Sequence, residues 1–265
     1  MIEELKFVGI HSRLKGGSTK PLVIEAEDQS QRINSYVLKL YKNDYVTDYF
    51  TIAKEIIISE LAEQFNLPVP KYGVIDLDNE LLLEEYDPDF IRELNSGYKF
   101  CNYYHEGTLL YNDSLRSKFL ENYDIENVFA FDNLILNTDR GGFRNKPNLL
   151  ITDDNFLLID HEQTFQFFDI RSAGRETDYK LKFNSYYFNN HIFLKLLRKL
   201  KSKEYVFDEF DENLRTLNLN FLDDLFRDFR KFNIDCGEKS AIFAYLNWCK
   251  INRSYITKSL KDRIL

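Results

Sequence analysis

The chain has 265 residues, 44% hydrophobic and 29% charged, which suits one large globular domain or two smaller lobes with a sizeable core. A formal net charge of -8 argues against nucleic acid as a direct partner, because binding a phosphate backbone rests on a basic surface. Cys101, Cys236 and Cys249 have no metal-ligand spacing, nothing at the N-terminus reads as a signal sequence, and no apolar run reaches the roughly 18 residues of a membrane span, so a reduced, cytoplasmic protein is expected.

In chain order, residues 6–76 read as a small α/β unit. Gly16-Gly17-Ser18-Thr19, preceded by Lys15, is a small-residue turn whose backbone could approach phosphate oxygens, although it lacks the longer phosphate-loop pattern. Residues 22–25 and 35–41 read as strands, joined by a polar turn-like stretch that predicts a hairpin. The second strand, SYVLKLY, alternates and places Lys39 on one face among apolar and aromatic neighbours. A lysine there is costly unless it meets a partner or a ligand. Residues 51–65 predict an amphipathic helix that offers Glu55 and Glu60 as partners, and Leu67-Pro68-Val69-Pro70 ends it. Residues 72–76 and 81–84 read as two further strands. Glu85-Tyr86-Asp87-Pro88 is the best linker, which predicts a boundary between residues 1–86 and 87–265.

Downstream, residues 116–136 read mainly as helix, and they lead into FDNLILNTDRGGFRNKPNLLITDDNFLLIDHEQTF, residues 131–165. Asp139-Arg140 closes one apolar run, Asn148 precedes a second at 149–151, and Asp160 ends a third at 156–159. Two carboxylates and an amide at the edges of apolar segments suit magnesium-dependent phosphoryl transfer. Mg²⁺ takes one or two hard oxygen ligands from the protein, and a further carboxylate can align the attacking hydroxyl. Residues 191–202, 220–232 and 238–264 carry helical periodicity, and Trp248 and the Phe stripe there read as core.

Glycine turn, strand lysine, helix glutamate, linker, Asp-Arg, Asn and Asp occur in an order that resembles the HipA-like kinases, relatives of phosphatidylinositol kinases and, more distantly, of eukaryotic protein kinases. YVLKLY around Lys39, the helix at 53–65 followed by NLPVP, NTDR, PNLLI and LLIDHEQTF carry the resemblance, which spans about residues 16–165. It implies an α+β, two-lobed protein-kinase-like fold, with a small β-rich N-lobe holding one helix and a larger, mainly helical C-lobe. It also implies ATP and Mg²⁺ as cofactors. On this resemblance Asp139 is the catalytic aspartate, Asn148 and Asp160 hold magnesium, and Lys39 binds phosphate with Glu55, or else Glu60, as its partner. Arg140 would position the catalytic loop or a phosphate. Gly16, Gly17, Ser18 and Thr19 would cradle the phosphates, and the backbone near Glu84 and Glu85 would meet the adenine.

Relatives commonly place the metal-binding asparagine five residues after the aspartate. Here Asn148 lies nine after and Asn145 six after, and Asn148 is preferred because it directly precedes the LLI strand. His161-Glu162 stands where eukaryotic kinases carry Phe-Gly, which removes any basis for importing their activation switch. Toxin members carry an additional N-terminal subdomain for which these 265 residues leave no room, so toxin activity does not follow. The resemblance favours a protein Ser/Thr hydroxyl as acceptor, with a lipid headgroup, a small-molecule hydroxyl, self-phosphorylation at Ser18 or Thr19, and AMP transfer as alternatives. A non-catalytic nucleotide-binding module is a reading of a different class. An antitoxin-like protein partner follows from family analogy only.

Overall fold

The computed structural model describes residues 1–14, 19–112, 120, 123–141, 146–152, 155–172 and 177–265. Its N-terminal part is built on strand β1 (Glu4–Arg13), which pairs antiparallel with β2 (Leu22–Glu27), and β2 pairs likewise with β3 (Ile33–Leu38). Strand β4 (Tyr72–Ile75) and strand β5 (Lys99–Tyr103) complete the set: β5 lies between β3 and β4, and β4 returns to run parallel to β1. The order β1-β2-β3-β5-β4 therefore closes into a barrel, which leaves no strand edge open. Leu5, Leu22, Ile24, Leu38, Ile75 and Cys101 fill its interior.

Three of these features depart from the sequence reading. The acidic start of β1 hid a strand. Residues 81–84 form no strand; a 3-10 turn at Asn79–Leu82 stands there, with the Asp78 carboxylate accepting from the Glu80 amide at 3.0 Å, followed by the short helix Pro88–Glu93. The strand that pairs with β4 is β5, which lies beyond the boundary expected at residue 86.

Between β3 and β4 run helices α1 (Asn43–Tyr49) and α2 (Thr51–Gln64). Helix α2 was expected to be amphipathic, yet eleven of its residues from Thr51 to Ala62 are buried, Lys54 and Glu55 among them. It is sandwiched between β5 and the helix Phe221–Lys231, so water reaches little of it. A helix buried on most sides must find internal partners for its charges.

The rest of the chain holds a small antiparallel sheet, β6 (Leu109–Leu110), β7 (Leu149–Ile151) and β8 (Phe156–Leu158), surrounded by helices. Helix Ile125–Leu134 begins at Asp124, whose carboxylate accepts from the Asn127 amide at 3.1 Å. The long C-terminal periodic stretch is two helices, Lys239–Ile251 and Arg253–Ile264, broken at Asn252. The sequence has 23 Phe and a single Met, and aromatic rings do much of the packing: Phe65 lies 5.5 Å from Phe131 and 5.3 Å from Phe210, ring centre to ring centre. Trp248 stacks on Tyr245 at 6.4 Å, within that packing. Among the described residues no helix is long and apolar enough to cross a membrane.

Candidate active site

Lys39 follows β3 by one residue, and its amide still bonds to the Phe100 carbonyl of β5 at 3.0 Å, so the ladder fixes its direction. The residue is 4% exposed and its ammonium lies 2.6 Å from Glu55 and 2.6 Å from Asp160. Burial disfavours the charge on Lys39, but Asp160 and Glu55 more than offset that and hold its pKa above the ordinary lysine value. Glu55 Oε1 also accepts from the Tyr41 hydroxyl at 2.9 Å and from the His161 amide at 3.2 Å. One carboxylate of α2 thus fastens the end of β3 to the segment that follows β8. Glu60, the alternative partner, instead receives the Tyr72 hydroxyl.

The second half of the site is the loop after helix Ile125–Leu134. Asp132, in the last turn of that helix, is fully buried and receives the Arg140 guanidinium at 2.5 Å, the Asn137 amide at 2.8 Å and His191 Nε2 at 2.9 Å. Burial pushes the Asp132 carboxyl up, yet Arg140 and His191 bring it below the usual carboxylate range. The Asp139 amide bonds to the Asn137 side chain at 3.0 Å, and the Tyr186 hydroxyl caps the Asn137 carbonyl at 2.5 Å. Arg140 also donates to the Asn148 carbonyl, tying the loop to the start of β7. Arg140 is 1% exposed, so it braces this loop from inside.

Asp139 Oδ2 accepts from Asn148 Nδ2 at 3.1 Å and lies 3.5 Å from Lys146 Nζ. Asn148 gives its amide nitrogen to Asp139, which leaves its amide oxygen for a cation. Asn148 and Asp160 flank one end of the β7–β8 hairpin: Leu149 pairs with Leu158, and the Ile159 amide bonds to the Asn148 carbonyl at 3.2 Å. Both adopt left-handed backbone, with φ of 44° and 58°. Among the described residues no three His, Cys, Asp or Glu side chains form a metal cage. A carboxylate and an amide oxygen fit Mg²⁺ as an ion that completes its shell with water and substrate phosphates.

Several of these groups, but not Asp139, face a cavity of about 520 Å³. Lys39, Lys146, Asn148 and Asp160 line its polar end, while Val37, Leu14, Leu150 and Ile159 give it apolar walls and Tyr103 to His105 pass along it. Thr19 lines it too, and its carbonyl accepts from the Leu40 amide at 3.3 Å. Gly16, Gly17, Ser18 and the alternative ligand Asn145 lie outside the described residues. Glu84 and Glu85 do not reach the cavity: Glu84 is exposed and Glu85 pairs with Arg13 at 2.7 Å. The segment along the cavity is the one after β5, because β5, and not residues 81–84, is the partner of β4, and it pairs with β3 as well.

Sequence reasoning missed Lys146 and Asp132, and read His161-Glu162 only as a departure from the Phe-Gly of eukaryotic kinases. Asp132 had a signal, a carboxylate inside the apolar run FAFDNLIL. Burial, with Arg140 and Lys39 nearby, drives His161 down to about 3 and keeps it neutral. Burial pushes Glu162 up against the pull of Lys39, and with Asp160 and Glu55 adding to the rise it reaches about 7. The sequence pattern of the HipA-like kinases matches residues 7–221. No curated protein matches the chain.

Proposed function

Because the chain belongs to the HipA-like kinase family, we propose that it transfers the γ-phosphoryl group of ATP, with Mg²⁺, to a hydroxyl, and that the acceptor is a Ser or Thr of a protein. The observation that carries this reading is the meeting of Lys39, Asn148 and Asp160 in one cavity, with Asp139 hydrogen-bonded to Asn148 at 3.1 Å. The barrel and the helical part would form the two lobes, joined after Tyr103, and the adenine would lie between Val37 above and Leu150 and Ile159 below.

Asn148 and Asp160 would hold the metal, which supplies positive charge where the leaving oxygen gains negative charge. Lys39 would release Asp160 and turn to the nucleotide phosphates, with Glu55 keeping it in place. Asp139 would orient the acceptor hydroxyl and take its proton as the oxygen bonds to the γ-phosphorus and the bond to ADP breaks. Lys146, beside Asp139, would meet the charge on the transferred group. Most of the catalysis in such a site is positioning and electrostatic stabilisation.

The test is incubation with ATP labelled at the γ or the α position, with Mg²⁺, scoring self-labelling and labelling of lysate proteins. Label from the γ position alone, lost in Asp139→Ala and Asp160→Ala, is the expected result. Label from the α position would replace phosphoryl transfer by AMP transfer. Magnesium-dependent ATP binding without label from either would leave a nucleotide-binding module.

A further inference from the structure

A second cavity, of about 440 Å³, is lined in part by Asp139. Its wall includes Asp139 but neither Lys39, Asn148 nor Asp160; Asp139 does not line the first cavity but accepts at 3.1 Å from Asn148, which does. Among the described residues lining it, Asp139 is the one anion and Lys182 the one cation, and Gln163, Gln166 and Ser185 offer hydrogen bonds. Lys182 sits on the helix Tyr179–Ser185 and is exposed, and among the described residues no carboxylate lies within ion-pair distance of it. The helix that carries it is anchored to the loop of Asp139. Phe183 buries the helix in the core, and Tyr186, just past the end of that helix and lining the same cavity as Lys182, donates to the Asn137 carbonyl at 2.5 Å. Asn137 in turn accepts from the Asp139 amide at 3.0 Å.

A cation with no carboxylate partner among the described residues, lining the same cavity as the group that would take the acceptor's proton, is placed to read charge on the acceptor. We propose that this cavity receives the acceptor and that Lys182 selects a Ser or Thr flanked by an acidic residue. The proposal rests on the kinase reading above and adds the substrate class to it. The net charge of the chain is -8, so an acidic acceptor gains nothing from the molecule as a whole and depends on this local cation.

The experiment uses the full chain, Mg²⁺, γ-labelled ATP and synthetic peptides with one Ser flanked by Asp, Ala or Lys. Wild type should favour the Asp peptide, chiefly through KM. Lys182→Gln should lower that preference by roughly two- to fivefold, and Lys182→Glu should shift the Asp-to-Lys ratio of kcat/KM by about tenfold or more toward the Lys peptide. An equal response to all peptides, or a preference that Lys182→Glu leaves in place, overturns the proposal. Labelling of no peptide, while ATP is still hydrolysed in a way that Asp160→Ala abolishes, overturns the acceptor class and leaves the kinase reading standing. Loss of any Asp160-dependent ATP turnover overturns both.

Discussion

Replacing Lys39 by Met removes the cation that two carboxylates share, and the cost should fall on one of them. Asp160 has a side chain 37% exposed and can turn to water, whereas the Glu55 side chain is 0% exposed. Without Lys39, Glu55 keeps only the Tyr41 hydroxyl at 2.9 Å and the His161 amide at 3.2 Å, and its Oε2 has no partner among the described residues. Breaking a buried pair from one side in this way costs about 3–5 kcal/mol. Glu55→Gln in the same chain removes the stranded charge and keeps an oxygen for Tyr41 and His161. Lys39→Met/Glu55→Gln should therefore be more stable than Lys39→Met alone, with a coupling of about 2–3 kcal/mol between the two sites. Urea unfolding of wild type, both single variants and the double variant, in EDTA without nucleotide, measures it through midpoints at constant slope. Additive losses would refute the argument that Glu55 is held by Lys39. The double variant should recover stability and no phosphoryl transfer, which separates the fold's need for the pair from the reaction's need for the ammonium.

Asp139→Asn keeps the shape of the side chain and should lower transfer by about a hundredfold or more while nucleotide binding survives, which labelled transfer and equilibrium binding together check. Gly141 has φ of +85°, and a Cβ there would overlap the Asn190 carbonyl and Ile192, so Gly141→Ala should lose at least about 2 kcal/mol in urea unfolding. Burial brings Lys99 down to about 8 from its ordinary 10.5, so the unfolded chain holds more protons between those values and stability rises with pH across that window. Relative to Lys99→Met, wild type should therefore gain roughly 2–3 kcal/mol between about pH 7 and about pH 10, and parallel unfolding curves would contradict this. Glu84→Ala, at an exposed position away from the cavity, should leave the KM for ATP within about twofold of wild type.

The parts of the site that local pattern could reveal were those carried by short apolar runs. Lys39 was legible because it interrupts an alternating strand, and Asp160 because it ends one. Glu55 could not be separated from Glu60 by periodicity, since both belong to a helix buried on most sides; tertiary contacts with Tyr41 and Tyr72 assign them different partners. Residues 81–84 were misread as a strand for a reason of range. Residues 81–84 lie close in sequence to β4 and look like its hairpin partner, but the pairing goes to β5, after an excursion containing a 3-10 turn and a short helix. That excursion has its own anchor: Tyr86 donates to the Lys20 carbonyl at 2.7 Å and lies under Arg13 at 4.6 Å, so the residues expected as a linker brace the β1–β2 end of the barrel.

The spacing between Asp139 and Asn148 is longer than the resemblance to the HipA-like kinases leads one to expect, and the hairpin fixes Asn148 independently of it. Asn148 is positioned by β7, not by its distance from Asp139. Leu149 pairs with Leu158, so the residue before β7 must stand beside Ile159, next to Asp160, whatever the length of the preceding loop. Two bonds then close the approach from the other side: Arg140 holds the Asn148 carbonyl, and Asp139 holds its side-chain amide at 3.1 Å. Left-handed backbone at both Asn148 and Asp160 turns the chain sharply at the hairpin end, and Asn and Asp are among the side chains that tolerate it best. Leu136 and Phe165 adopt the same backbone, with φ of 55° and 41°, at a lower tolerance. They lie on the two segments that the Phe165-to-Ile135 bond at 3.0 Å and the Thr138-to-Gln163 bond at 3.1 Å hold together. Strain of this kind persists only where surrounding contacts over-determine the backbone, and here those contacts hold Asp139 and Asp160 in a fixed relation across the loop.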